Sequence, residues 1–145
     1  MNRSQELFEK GLQALREDEP VRALAYFERA LSIEPAPLVK SYLAYCIARE
    51  RGQVSQAIAL CEEAISGEGD NPLHYLNLGR VYLIKKDKVK AIQTFRAGLK
   101  YGTHPEIIAE LERLGTRKPP VIPFLRRKNP VNKYLGLILS RLGLR

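Results

Sequence analysis

The sequence predicts an all-α fold, a superhelical solenoid built from helix pairs stacked side by side. Three observations carry that prediction. Ala23, Ala57 and Ala91 recur at a step of 34 residues, inside the similar phrases VRALAYFERAL, SQAIALCEEAI and VKAIQTFRAGL. Within each phrase the apolar residues return at three- and four-residue steps, which places them on one face of a helix and not on alternate faces of a strand. Turn-forming residues interrupt every copy at matching places, as expected of stacked supersecondary units.

The columns extend through both halves of each copy. At the same step, Leu24 maps to Ile58 and Ile92, Phe27 to Cys61 and Phe95, Ala30 to Ala64 and Gly98, and Leu31 to Ile65 and Leu99. Upstream, Gly11, Tyr45 and Gly79 form a column, followed by Ala14, Ala48 and Tyr82. Each copy therefore holds two helices. Asp18-Glu19-Pro20, Gly52-Gln53 and Lys86-Asp87 break the chain inside the copies. Pro35-Ala36-Pro37, Gly67 to Pro72 and Thr103-His104-Pro105 break it between them. Ala23, Ala57 and Ala91 let paired helices approach where a larger side chain would hold them apart.

In period, pairing and columns the sequence resembles the tetratricopeptide repeat over about residues 4–105, in copies at 4–37, 38–71 and 72–105. The third copy matches most fully, with Tyr75, Leu78-Gly79, Tyr82, Ala91 and Phe95, and the first keeps Gly11, Ala23, Phe27, Ala30 and Pro35. The second departs, with Ser41 and Tyr45 at the large-aromatic and small-residue columns and Gly69 where proline is usual.

The resemblance implies a right-handed superhelical α-solenoid whose first helices line a concave groove. By the family's inward-facing positions, that groove presents Phe8, Leu12, Val39, Tyr42, Cys46, Arg49, Leu73, Leu76, Asn77 and Arg80. Most of these are apolar, which suits an amphipathic helix or apolar extended segment of a protein partner. The alternative is that several are buried between helices or covered by the C-terminal segment. Family members that clamp acidic chaperone tails use Lys, Asn and Arg in the groove. Here Phe8, Leu12, Leu43 and Leu73 occupy the matching columns and only Asn77 is suitable, so no such clamp is expected.

After Pro105, Ile107, Ile108, Leu111 and Leu114 lie at helical spacing and predict a capping helix over 106–116. Thr103 with Glu106 resembles a capping box and Gly115 a stop. Residues 1–116 hold 16 Lys plus Arg and 16 Asp plus Glu, whereas 117–145 hold 8 basic residues and no acid, so the whole net charge of +8 lies in the tail. Pro119, Pro120, Pro123 and Pro130 predict extended chain over 117–130. Val131, Leu135, Ile138 and Leu142 then predict an amphipathic helix over 131–144.

That helix could pack on the repeats, enter a membrane interface or enter a partner protein. Arg117, Lys118, Arg126, Arg127, Lys128, Lys133, Arg141 and Arg145 form the basic tail, suited to an acidic partner or an anionic membrane surface. With Phe124 and Tyr134 as its aromatics and no recognisable motif, nucleic acid is the weaker reading. Self-association through the apolar tail helix is a further possibility.

The remaining residues argue against chemistry. Cys46 and Cys61 read as small buried apolar side chains, and His74 and His104, beside turns, as surface or capping residues. Glu62-Glu63 and the Lys85 to Lys90 run read as solvated charge. No phosphate loop or nucleophile context occurs, so neither catalysis, a metal nor a cofactor is expected. No run approaches the roughly 20 apolar residues of a spanning helix. The start of the chain carries acids and no secretory apolar core, so a cytoplasmic location is expected, with a peripheral membrane position open. The sequence thus reads as a protein-binding adaptor with the tail as second contact; its rival is a membrane or nucleic-acid tether acting through the tail.

Overall fold

A computed structural model describes residues 2–115. These form seven α-helices and one 3₁₀ turn, with no strand among the described residues. In chain order they are α1 (Arg3–Arg16), α2 (Pro20–Ile33), α3 (Pro37–Arg51), α4 (Val54–Gly67), α5 (Pro72–Ile84), α6 (Lys88–Gly98), the 3₁₀ turn Leu99–Tyr101 and α7 (Pro105–Arg113). The tail 117–145, its basic residues and the expected helix 131–144 lie outside the described residues.

Local chemistry explains the ends of the helices. Proline starts α2, α3, α5 and α7, where its missing N–H would have no helical partner in any case. Asn2 and Gln5 close a reciprocal capping box on α1. At α7 the cap is His104, whose Nδ1 accepts from the Glu106 N–H at 3.3 Å. This assigns His104 the capping role and corrects the expected Thr103 box. The turns inside the pairs share one conformation: Asp18, Gly52 and Lys86, spaced by 34, sit at φ 56°, 65° and 71°.

Helices pair as α1 with α2, α3 with α4 and α5 with α6, and each pair packs on the next through α2 with α3, α4 with α5 and α6 with α7. Ala23, Ala57 and Ala91 are fully buried. One apolar cluster fills the first two pairs and reaches Leu78 and Val81, and a second joins Leu76, Ala91 and Phe95 to Ile107, Ile108 and Leu111 of α7. Leu73 and Tyr82 pack against both clusters, which makes the interior continuous.

The irregular second copy is accommodated residue by residue. In the first and third copies a glycine faces a phenylalanine: a Cβ on Gly11 would stand 2.7 Å from Phe27 Cδ1, and one on Gly79 would stand 2.7 Å from Phe95 Cζ. In the second copy the small and large members trade places as Tyr45 and Cys61, so no ring obstructs a side chain at position 45. Ser41, at the large-aromatic column, is buried beneath polar groups of α5. At Gly69 the backbone carbonyl accepts from Tyr75 Oη at 2.8 Å, fixing the linker into α5.

His74 does not sit on the surface as its sequence context predicted; it is fully buried. Its Nε2 lies 2.8 Å from Glu68 Oε1 and its Nδ1 2.9 Å from Ser41 Oγ, which also accepts from Asn77 Nδ2 at 3.2 Å. A carboxylate only accepts, so Nε2 carries a proton toward Glu68, while Nδ1 faces the Ser41 hydroxyl, which also reaches the Leu38 carbonyl at 3.3 Å. Burial, partly offset by Glu68, holds the His74 pKa below its ordinary value. The hydrogen bond from Asn71, with that of His74, lowers Glu68.

Candidate partner-binding groove

Two depressions lie along α1 and α3, separated by the edge-on contact of Phe8 and Tyr42, whose ring centres are 5.7 Å apart. The larger, about 500 Å³, is lined by Leu12, Leu15 and Arg16 of α1, Tyr42, Tyr45 and Arg49 of α3, Arg80 of α5 and Glu106, Glu110 and Arg113 of α7. The first helix of every pair therefore contributes, and α7 continues the series as a fourth wall. The smaller, about 430 Å³, lies between α1 and the start of α3, with Phe8, Leu38 and Val39 for apolar lining and Glu9 and Glu34 among its polar residues.

Charged side chains shape the larger cleft. Arg80 Nε donates to Glu110 Oε2 at 2.7 Å and its Nη2 to Glu106 Oε2 at 3.1 Å, which ties α5 to α7. Burial works against the Arg80 charge, but pairing with these two carboxylates outweighs it and raises its pKa. Tyr45 is flanked by two guanidinium groups, Arg80 at 5.4 Å and Arg49 at 6.0 Å from its ring centre. Arg49 donates to Tyr45 Oη at 3.2 Å and Asp18 Oδ1 at 2.9 Å. The Tyr42 hydroxyl is pushed up to about 12, first by burial and then by the nearby Glu106 charge.

Of the residues expected to line the groove, Leu12, Tyr42, Arg49 and Arg80 line the larger cleft, and Phe8 and Val39 the smaller. Cys46, Leu76 and Asn77 are fully buried between helices, and Leu73 is half-buried where the two apolar clusters meet. These four line neither cleft, and the expected apolar groove is corrected to one whose larger part carries four arginines, two glutamates and two tyrosines. Asn77 Oδ1 is buried without a hydrogen-bond partner among the described residues. The thiols of Cys46 and Cys61 are buried and free, each pushed up to about 12 by burial.

Sequence reading missed Leu15, Arg16, Tyr45, Glu106, Glu110 and Arg113. The signal for Glu110 was present: one 34-residue step carries Phe8 to Tyr42, Tyr42 to Leu76 and Leu76 to Glu110. Treating α7 only as a cover for the array concealed its contribution to the lining. Tyr45 stood out as a large residue in a small-residue column, and the side chain excluded from the interior projects into the cleft.

No protein-family model matches the chain. A TPR repeat-containing protein of Methanocaldococcus jannaschii is 31% identical over 77 residues, covering 53% of this chain and 20% of the relative, so the chain spans about a fifth of that curated relative's length. The crystal structure of the Sgt2 TPR domain from Aspergillus fumigatus is similar with a TM-score of 0.63 at 23% identity, covering 78% of this chain and 77% of that domain. No described helix is long and apolar enough to cross a membrane. Period, helix pairing, sequence likeness and structural likeness agree that this chain has the fold of tetratricopeptide-repeat proteins.

Proposed function

We propose that the chain is a protein-interaction scaffold whose concave face receives a helical or extended segment of another protein. The observation that carries this reading is the larger cleft, to which α1, α3, α5 and α7 all contribute side chains. Leucines 12 and 15 offer apolar contact, while Tyr45, Arg49 and Arg16 supply the aromatic and guanidinium groups that dominate protein recognition energetics. A segment lying there would touch every copy. The division into repeats at 4–37, 38–71 and 72–105, with 106–116 closing the array, belongs to the same proposal.

Tyr45 and Arg49 are the residues to test, because Leu76 and Cys46 are inaccessible and their loss would report on packing. A photo-crosslinking amino acid at position 12 of the full chain should capture a protein partner in cells, and adding Tyr45→Ala with Arg49→Ala should abolish its recovery. Undiminished recovery of that partner by a folded double variant would refute the groove reading.

A further inference from the structure

The three turns inside the helix pairs repeat one backbone and differ in charge. Asp18, Gly52 and Lys86 hold the same left-handed conformation. Around the first, Arg22 pairs with Glu17 and Glu19, and Arg49 with Asp18. At the second, Arg51 pairs with Glu28. Around the third, Lys85, Lys86, Lys88 and Lys90 are all exposed, and none forms an ion pair among the described residues. Asp87, the acid among them, is engaged in capping α6, accepting from the Lys90 N–H at 3.1 Å. Within this run Val89 is 66% exposed.

Two further facts give the turn a direction. Lys86 occupies a left-handed position where the second copy has glycine, so a charged side chain is kept there against the conformational preference of L-residues. The register of α7 fixes the second. Ile107 and Tyr75, near the start of α5, both border Gly98, and Glu110 meets Arg80 farther along α5, so α7 runs parallel to α5. Leu114, past its end, packs against the same apolar cluster as Tyr82 and Leu83. The end of α7 therefore lies on the same edge as the lysine turn.

We propose that this edge is a docking surface for an anionic lipid bilayer, with Val89 entering the headgroup region and Lys85, Lys86, Lys88 and Lys90 meeting lipid phosphates. An exposed aliphatic side chain flanked in sequence by exposed lysines suits an interface that is charged outside and apolar beneath. A nucleic-acid backbone would use the cations but gain nothing from the valine, and the Tyr82 ring is already covered by Lys90, whose Nζ lies 5.6 Å from its centre. This surface is separate from the concave cleft and does not depend on what the cleft binds.

The test uses the full chain and vesicles of phosphatidylcholine, with and without phosphatidylglycerol. Co-sedimentation should require the anionic lipid and weaken as salt rises. Replacing Lys85, Lys86, Lys88 and Lys90 together by Gln, with the tail intact, should lower partitioning at least tenfold, while Lys10→Gln with Arg29→Gln, exposed cations of α1 and α2, should not. The indole introduced by Val89→Trp should shift its emission to the blue on anionic vesicles, reporting insertion directly. Circular dichroism establishes that each variant keeps its helices. Equal binding to neutral vesicles, unchanged partitioning of the four-lysine variant, or an unshifted indole at saturating vesicle would overturn the proposal. So would tighter retention on single-stranded RNA that the same four substitutions abolish, which would make nucleic acid the partner.

Discussion

Phe27 lies across Gly11 so closely that a methyl group on the glycine would stand 2.7 Å from the ring carbon Cδ1. Gly11→Ala should therefore cost about 1–3 kcal/mol through overpacking, although alanine is the better helix former. The second copy shows the remedy, carrying Cys61 where the others have phenylalanine. In a urea-denaturation double-mutant cycle, Phe27→Leu should relieve a good part of the alanine penalty; purely additive losses would show that the two side chains are not coupled.

Acid should weaken the fold through His74. Its pKa is lowered in the folded state, so the unfolded chain binds the extra proton first. Stability is complete above the ordinary histidine pKa of about 6.5 and falls as pH drops through the folded value. Glu68 acts in the same direction at lower pH, since its pKa is also lowered. The urea midpoint should decline from about pH 7 to about pH 5, and His74→Gln should flatten that decline.

The ties between α5 and α7 should differ in strength according to burial. Glu110 is 8% exposed at its side chain and holds Arg80, which is 18% exposed, so Glu110→Gln should destabilise by about 1–3 kcal/mol. Arg113 also reaches Glu110, but it is 66% exposed, and Arg113→Ala should cost less than about 0.5 kcal/mol. Thermal unfolding of the two variants measures the difference, and equal losses would contradict it.

Lys86→Gly should raise stability by up to about 1 kcal/mol, because glycine adopts the left-handed backbone without a Cβ penalty. The urea midpoint reads this directly. A fall would mean that the lysine side chain contributes packing that outweighs its backbone cost.

Cys46 and Cys61 should be silent toward thiol reagents in the native state, because both are fully buried and their thiols resist ionisation. Labelling by an aromatic disulfide reagent at mildly alkaline pH should proceed at the rate of opening and accelerate in urea. Fast stoichiometric labelling of folded protein would place one of them on an accessible surface.

The helices were legible because their signals are local. A 34-residue step, proline at the helix starts and small residues at the crossings need no knowledge of what lies opposite. The groove was less legible, because inward-facing positions on a solenoid are shared between the open surface and the seam with the next pair. Leu76 and Arg80 lie one turn apart on α5, yet one is sealed beneath α7 and the other borders solvent. Spacing along one helix cannot separate those outcomes; they depend on how far the following helix leans across. His74 was misread for a related reason. A histidine beside a turn resembles a capping group until Ser41, 33 residues earlier, is brought against it.

The left-handed residue at positions 18, 52 and 86 gives every helix pair the same bend, whatever side chain it carries. Charge can thus differ from corner to corner while the bend itself stays the same. At these three turns the backbone sets the shape and the side chains set the charge.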